Sequence, residues 1–258
     1  MSSDLKSQNK KEEISFSDYH FSITRRLGHS ACSKIHNFRR LKFAGLDRSA
    51  GNTILDCGCG SGEDSVIMAK WKNYVIGTDV SREALRIAKE NALLSNVEVE
   101  FVLADSENLP FRNASFDTCI CMQTLHHFSS IDYVLMEIER ILCSPGKIVL
   151  FEPNGSNIVF KMSERVEDLV RPFLKNIGVD TPNEHIHDLS FYLDSLRKAG
   201  FFYIGVKVWT EVGYAPLSSR SILISFLTKV RYFLFLLACT SLPSPFKGTN
   251  ILVVGTKR

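Results

Sequence analysis

None of the seven cysteines belongs to a Cys-x-x-Cys pair, so the usual frames for a structural zinc or a redox dithiol are missing. Four of them fall instead in two Cys-x-Cys pairs, Cys57 with Cys59 and Cys119 with Cys121, at the ends of apolar runs. Strand alternation is expected to keep each pair from converging on a metal, leaving the thiols buried as small hydrophobes in a reducing cytoplasm. An apolar leader is also missing: Ser2-Ser3-Asp4 through Lys10-Lys11-Glu12-Glu13 is polar. The apolar region from Ser221 to Cys239 is broken by Lys229 and Arg231 and stopped by Pro243 and Pro245, which leaves no uncharged run long enough for a bilayer span. Acid is absent beyond Glu211, while Arg220, Lys229, Arg231, Lys247, Lys257 and Arg258 follow. The net charge of +3 is too small to indicate a partner by itself.

What is present suits an α/β enzyme. A chain of 258 residues with 45% hydrophobic and 23% charged content can bury the core of one α/β domain and carry additions. Apolar runs alternate with amphipathic stretches, which predicts a mostly parallel sheet with helices on both faces. Helices are expected at 14–25, 33–45, 63–71, 82–94, 131–142 and 189–199, the last stopped by Gly200. Strands are expected at 53–57, 74–79, 99–103, 118–122, 147–152, 201–209 and 250–255, the fifth introduced by the turn Ser144-Pro145-Gly146. Two additions interrupt the alternation. Between Pro153 and His187 lie a predicted helix, 159–174, and a polar turn, Asp180-Thr181-Pro182-Asn183. Between Glu211 and Asn250 lies the apolar helix 221–239, which suits burial against the sheet, an interfacial membrane contact favoured by the flanking cations, or a dimer contact.

The chemistry concentrates at strand ends. Ile54-Leu55-Asp56-Cys57-Gly58-Cys59-Gly60-Ser61-Gly62 runs from an apolar strand into a glycine-rich turn that opens a helix. Glycine permits positive φ and close backbone approach, and the helix N-terminus offers unpaired N–H groups. The Gly-x-Gly-x-Gly spacing departs from the Gly-x-Gly-x-x-Gly dinucleotide fingerprint. Val75-Ile76-Gly77-Thr78-Asp79-Val80-Ser81 is a second strand ending in acid, with Ser81 placed as a helix N-cap; Asp79 there can accept both hydroxyls of a ribose. Phe101-Val102-Leu103-Ala104-Asp105 is a third, followed by Ser106-Glu107-Asn108-Leu109-Pro110-Phe111 and Ser115-Phe116-Asp117. One such acid is as readily a capping carboxylate as a ligand group. Three at the ends of three consecutive strands favour a ligand.

From Asn52 to Pro153, with Leu125-His126-His127-Phe128 and Leu142-Cys143-Ser144-Pro145-Gly146-Lys147 in sequence, the chain resembles the class I S-adenosylmethionine-dependent methyltransferases, in the branch similar to the quinone-biosynthesis (type 11) enzymes. The resemblance implies a Rossmann-like three-layer sandwich with a seven-stranded sheet of order 3-2-1-4-5-7-6, an inserted helical lid and an apolar C-terminal helix. It divides a single domain into N-terminal helices (1–50), a cofactor-binding core (51–155), a lid-like insert (156–187) and a C-terminal part (188–258) with an apolar helical insert at 216–242. It further implies S-adenosylmethionine as cofactor, with Gly58, Gly60 and Gly62 around its methionine portion, Asp56 on the amino group, and Asp79 with Val80 at the ribose. Asp105 would take the adenine amino group, Ser106 would lie beside the ring, and Gln123 would face the methionine end. No metal is required.

His126 and His127 follow the fourth strand, where an imidazole can deprotonate an acceptor or simply line the pocket. His185 and His187, in the lid-like insert, are expected to face solvent. The acceptor implied is a small or lipid-like organic molecule methylated on oxygen or carbon, by a cytoplasmic protein with an optional peripheral membrane contact through 221–239. RNA methylation is the alternative, since Arg25, Arg26, Lys34, Arg39, Arg40 and Lys42 make the N-terminal helices basic. It is disfavoured by the lack of interleaved aromatics, and Cys121-Met122-Gln123-Thr124 stands where an Asn-Pro-Pro-Tyr-type motif would. A cofactor-binding regulator without catalysis is a third reading.

Overall fold

The computed structural model describes residues 10–12, 14, 15, 18, 31–48, 50–128, 130–157, 185–209 and 250–258. The elements in chain order are α1 (Ala31–Phe43), β1 (Thr53–Cys57), α2 (Glu63–Lys70), β2 (Tyr74–Asp79), α3 (Arg82–Leu94), β3 (Glu100–Leu103) and β4 (Phe116–Met122). They continue with α4 (Ile131–Ile141), β5 (Leu142–Pro153), α5 (Leu189–Lys198), β6 (Phe201–Trp209) and β7 (Asn250–Lys257). Short 3₁₀ turns occupy Leu46–Arg48 and Leu125–His127.

The strands form one sheet in the order β3-β2-β1-β4-β5-β7-β6. β1 to β5 pair in parallel, and β7 is antiparallel to both β5 and β6. The central strands read as nearly unbroken apolar runs because both faces are covered. Leu55, Cys119, Cys121, Ile148 and Leu150 pack on one side with Ile131, Val134, Leu135 and Ile138 of α4 and with Tyr192 and Leu196 of α5. Ile54, Ile120, Met122, Val149 and Phe151 pack on the other with Leu41 of α1 and Met68 of α2. Successive residues thus alternate between two buried layers. β1 is the switch point of the winding, with β2 and β3 to one side and β4 and β5 to the other, and the register sets Leu55 opposite Cys119 and Asp56 opposite Ile120. The loops leaving β1 and β4 therefore bound a crevice at the C-terminal edge of the sheet, the place where open α/β sheets bind ligands.

Local signals act as the sequence implies. The Ser81 side chain accepts from the Ala84 N–H to cap α3, and Asp188 accepts from the Phe191 N–H to cap α5. Gly200, at φ 92°, stops α5 in a conformation that favours glycine. Boundaries differ where side chains at a distance decide. β4 begins at Phe116 because that ring is buried and pairs with Leu142, so β5 also starts before the expected turn and continues through Ser144-Pro145-Gly146, whose Ser144–Pro145 bond is cis. β7 runs on to Lys257, whose ammonium donates to the carbonyls of Glu139 and Leu142 at 2.7 and 3.0 Å.

The expectation that strand alternation holds the cysteines apart is corrected. Cys119 and Cys121 lie two residues apart on one strand, hence on one face, and both meet Cys57 of the adjacent strand in the same core layer. Hydrogen-bonding contacts with the side chains of Cys119, Cys121 and Ser106 lower the pKa of Cys57 well below its ordinary value, against the burial that raises it.

α1 is fastened by a buried ion pair. The Arg40 guanidinium donates to Asp64 in the first turn of α2 and lies 5.1 Å from the centre of the Phe151 ring, while Asn37 donates to Glu63 at 2.8 Å. Burial pushes the Asp64 carboxyl up, and Arg40 pulls it back. Arg40, one of the cations that made the N-terminal helices look like a phosphate track, therefore points inward. The expected helices at 159–174 and 221–239 and the turn at 180–183 lie outside the described residues, among which no helix is long and apolar enough to cross a membrane.

Removing one member of a buried ion pair leaves the other charge unpaired, so Arg40→Met should lower the unfolding free energy by about 3–5 kcal/mol. Asp64 would then hold its proton more tightly folded than unfolded, so the loss should grow as the pH rises above the ordinary carboxylate range. Urea denaturation at about pH 5 and about pH 8 measures both effects, and an equal, small loss at both values would show that the pair contributes nothing net.

Candidate functional site

The site is built on the turn after β1. Gly58, Gly60 and Gly62 have φ of 71°, 51° and 72°, all in the left-handed region. The Cys59 N–H donates to the Thr78 carbonyl and the Gly62 N–H to the Cys59 carbonyl, each at 2.8 Å, which folds the chain tightly before α2 begins. Two of the glycines also have no room for a side chain. A Cβ on Gly58 would lie 2.2 Å from Thr124 Cγ2, and one on Gly62 would lie 2.8 Å from Ala88 Cβ. The loop is thus moulded against the turn after β4 on one side and α3 on the other.

Asp79 ties this loop to the neighbouring strand. One carboxylate oxygen accepts from the Gly60 N–H and the other from the Ser81 N–H, both at 2.9 Å. Each oxygen has a second lone pair, which is the acceptor set a vicinal diol requires. Burial pushes this carboxyl up, and its backbone donors pull it back. Val80 is half-buried beside it. Asp56, buried at the end of β1, accepts from the Ser65 hydroxyl at 2.5 Å. Its carboxyl is pushed up to about 8 by burial and by the charge of Asp64, against the opposing Ser65 hydrogen bond and Arg40.

Asp105 lies beyond β3, where one oxygen accepts from the Glu107 N–H at 3.0 Å and the other from the Lys10 ammonium. Asp18 likewise accepts from the Ser81 hydroxyl and from the Glu83 N–H. The N-terminal residues therefore reach the edge of the site at two points, although the sequence marked Lys10 only as part of a polar stretch. Ser106 is turned into the core: it is 2% exposed and its hydroxyl accepts from the Cys57 thiol at 3.2 Å. Gln123 has φ of 60°, its N–H donates to the Phe151 carbonyl, and its side-chain amide donates to Asn250 at the start of β7, both at 2.7 Å.

The histidine pair separates into unlike members. His126 is 3% exposed, with Nδ1 at 2.7 Å from Glu152 Oε2; His127 is half-buried, with its ring centre 4.1 Å from that of His126 and tilted by 40°. Glu152 is completely buried, and its Oε1 accepts from the Thr124 and Leu125 N–H groups at 3.0 and 2.9 Å. Sequence reasoning passed over Glu152 as the last residue of a strand, although an acid directly after Ile148-Val149-Leu150-Phe151 was itself a sign of a buried, satisfied carboxylate. The His185 N–H donates to the His126 carbonyl at 2.7 Å, and the Gly155 N–H donates to the His187 carbonyl at 2.9 Å, so this segment is tied both to the histidine turn and to the chain leaving β5. His185 is exposed as expected, whereas the His187 ring stacks on Phe191 at 3.6 Å, and burial and His185 lower its pKa. Burial and the charge of Glu152 push the Tyr192 hydroxyl up.

The C-terminal edge of the sheet thus carries Asp56, the three glycines, Asp79 and Asp105, and the turn after β4 adds Gln123, His126 and His127, with the Asp56, Ser106 and His126 side chains buried. Among the described residues, no group of His, Cys, Asp and Glu has the arrangement of a metal site.

Residues 55–150 match the methyltransferase domain family. The chain is 27% identical over 150 residues to 27-O-demethylrifamycin SV methyltransferase of Amycolatopsis mediterranei, an alignment covering 55% of each chain. It is 32% identical over 128 residues to a ubiquinone biosynthesis O-methyltransferase of Paraburkholderia xenovorans, covering 48% of this chain and 55% of that one. It therefore spans about half the length of the curated relatives it matches. A solved S-adenosylmethionine-dependent methyltransferase of Thermotoga maritima shares the fold, with a TM-score of 0.60 and 19% identity over 95% of this chain and 100% of that one.

Gly58→Ala should destabilise the protein by about 2 kcal/mol or more, since the new methyl both meets Thr124 and occupies a left-handed backbone. Repeating the substitution in a Thr124→Ala background removes the Cγ2 and Oγ1 clashes and should recover the steric share, a coupling that thermal unfolding of the four proteins measures.

Proposed function

We propose that the chain, whose residues 55–150 match the methyltransferase domain family, transfers the methyl group of S-adenosylmethionine to an oxygen or carbon of a small or lipid-like organic acceptor and releases S-adenosylhomocysteine. The observation that carries the reading is the glycine turn held by Asp79, a cradle in which a Cβ would collide at Gly58 and Gly62 and in which a strand-end carboxylate keeps lone pairs for a diol. When bound, the cofactor supplies an electrophilic methyl group set for in-line displacement, so the protein has mainly to orient and to exclude water.

The chain's residues divide that work. The backbone of Gly58 to Gly62 would hold the methionine portion, Asp56 would receive its ammonium, and Asp79 with Val80 would receive the ribose. Asp105 accepts from the adenine amino group at a carboxylate that Lys10 also engages. Ser106 supports that end from beneath, and Gln123 turns the chain toward the methionine end. His127, half-buried in the 3₁₀ turn after β4, takes the acceptor's proton. The names of the two curated relatives, one acting on a rifamycin and one in ubiquinone biosynthesis, support an organic acceptor and oxygen as the atom methylated. Against RNA as acceptor stands Arg40, whose guanidinium is committed to Asp64.

Calorimetry with S-adenosylhomocysteine tests the cradle. Asp79→Ala should weaken binding by about 1.5–3 kcal/mol, the value of hydrogen bonds to a charged group. Asp56 adds a pH signature. It holds its proton more tightly folded than unfolded, so the stability it contributes is complete at low pH and is lost as the pH climbs toward about 8. An ammonium placed beside it expels that proton, so binding near neutral pH should release a proton, seen as a heat that varies with the buffer's ionisation enthalpy and disappears in Asp56→Asn. Unchanged affinity in folded Asp79→Ala sinks the ribose assignment, and no binding by the unaltered protein sinks the methyltransferase reading. The acceptor is tested with methyl-labelled cofactor and fractionated extract: label should enter a lipid or small-molecule fraction, and label in RNA would overturn the acceptor class.

A further inference from the structure

We propose that Glu152 is a positioning residue that sets the cofactor loop with one carboxylate oxygen and the acceptor-side histidines with the other. The second half of this inference rests on the methyl-transfer reading of His127.

Oε1 receives both the Thr124 and Leu125 N–H groups, at 3.0 and 2.9 Å, and so closes the turn that Gln123 opens with its positive φ. That turn carries Thr124 onto the glycine loop. The Thr124 hydroxyl donates to the Gly58 carbonyl at 3.3 Å, and its methyl group fills the space that a Cβ on Gly58 would need. Oε2 receives Nδ1 of His126 at 2.7 Å. A carboxylate can only accept there, so the neutral imidazole carries its proton on Nδ1 and the ring plane is fixed. The His127 ring, 4.1 Å from that of His126, packs against this fixed plane and takes its orientation from it.

A fully buried carboxylate is costly unless every lone pair in use meets a donor. An apolar residue would continue β5 with no such demand, as Ile148 to Phe151 do. Three donors drawn from consecutive residues of a single turn are what make the charge tolerable, and they point to a role in holding that turn rather than in holding the sheet. The other titratable groups around the pair are Tyr192 of α5, whose hydroxyl is raised by the Glu152 charge, and His185 and His187, joined to the turn through the His126 carbonyl and Gly155.

The two oxygens can be tested apart. Glu152→Gln retains an acceptor for Thr124 and Leu125 but presents an NH₂ group to His126, which forces the neutral imidazole to move its proton to Nε2. Long-range nitrogen–proton correlation spectra of histidine-labelled protein should show the Nδ1–H form of His126 in the unaltered protein and the Nε2–H form in the variant. Removing the negative charge should also shift the His127 titration midpoint downward, while S-adenosylhomocysteine affinity stays within about twofold. Glu152→Ala removes both arms and should weaken S-adenosylhomocysteine binding by about tenfold or more, the loss of roughly one buried hydrogen bond. His126→Asn, which keeps a donor for Oε2 but has no ring, is the second variant should Glu152→Gln fail to fold; it should bind S-adenosylhomocysteine normally and alter the His127 titration. An Nε2–H form of His126 in the unaltered protein, or an unchanged His127 titration in the folded variants, overturns the histidine arm. Normal binding by folded Glu152→Ala overturns the loop arm. Failure of the unaltered protein to bind S-adenosylhomocysteine overturns the methyltransferase reading instead and leaves the tautomer measurement standing.

Discussion

Burial of the sheet on both faces confines polar chemistry to the ends of its strands. Between Ile54 and Leu55 in β1, or along Ile148 to Phe151 in β5, there is no position from which a charged side chain could reach water. Glu100 and Asp117 lie at the N-terminal ends of β3 and β4, while at the C-terminal ends the acids are Asp56 of β1, Asp79 of β2 and Glu152 of β5, with Asp105 just beyond β3. Because the first five strands are parallel, these ends lie along one edge, and because the winding reverses at β1, the loops there separate rather than crowd. Crevice, carboxylates and glycine turn are one consequence of strand direction.

Those carboxylates are kept compatible by distinct means. Asp79 and Glu152 are satisfied by backbone N–H groups, Asp64 by a guanidinium and Asp105 by an ammonium. Asp56 accepts from a hydroxyl, and burial together with the field of Asp64 pushes its carboxyl up to about 8.

The sequence made the glycine turn and the acids at the strand ends legible because their evidence is local. A strand, three glycines and an acid within a dozen residues define the turn, and a recurring apolar run ending in acid defines the next two strands. The residues it left obscure act across long separations. Glu152 meets Thr124, Leu125 and His126; Lys10 meets Asp105; and Cys57 meets Cys119 and Cys121. Nothing periodic announces such pairings. The cysteines also show how a local rule can be misapplied, since alternation separates adjacent residues and unites those two apart. The early start of β5 was hidden for a related reason: Ser144-Pro145-Gly146 has the composition of a turn, but the pairing of Leu142 with Phe116 on the neighbouring strand commits the chain to extension before it.

The antiparallel placement of β7 has an architectural result. Asn250 pairs with Pro153 on one side and Trp209 on the other, so the last residue of β5, the last of β6 and the first of β7 stand abreast at a single level of the sheet. The excursion that leaves after β5 and the excursion between β6 and β7 are therefore rooted side by side, at the edge that carries the crevice. Their roots are fixed by backbone pairing, which is indifferent to side chains. Either excursion can be lengthened, shortened or exchanged while the roots and the glycine turn stay in place, so the cradle need not be rebuilt when they change.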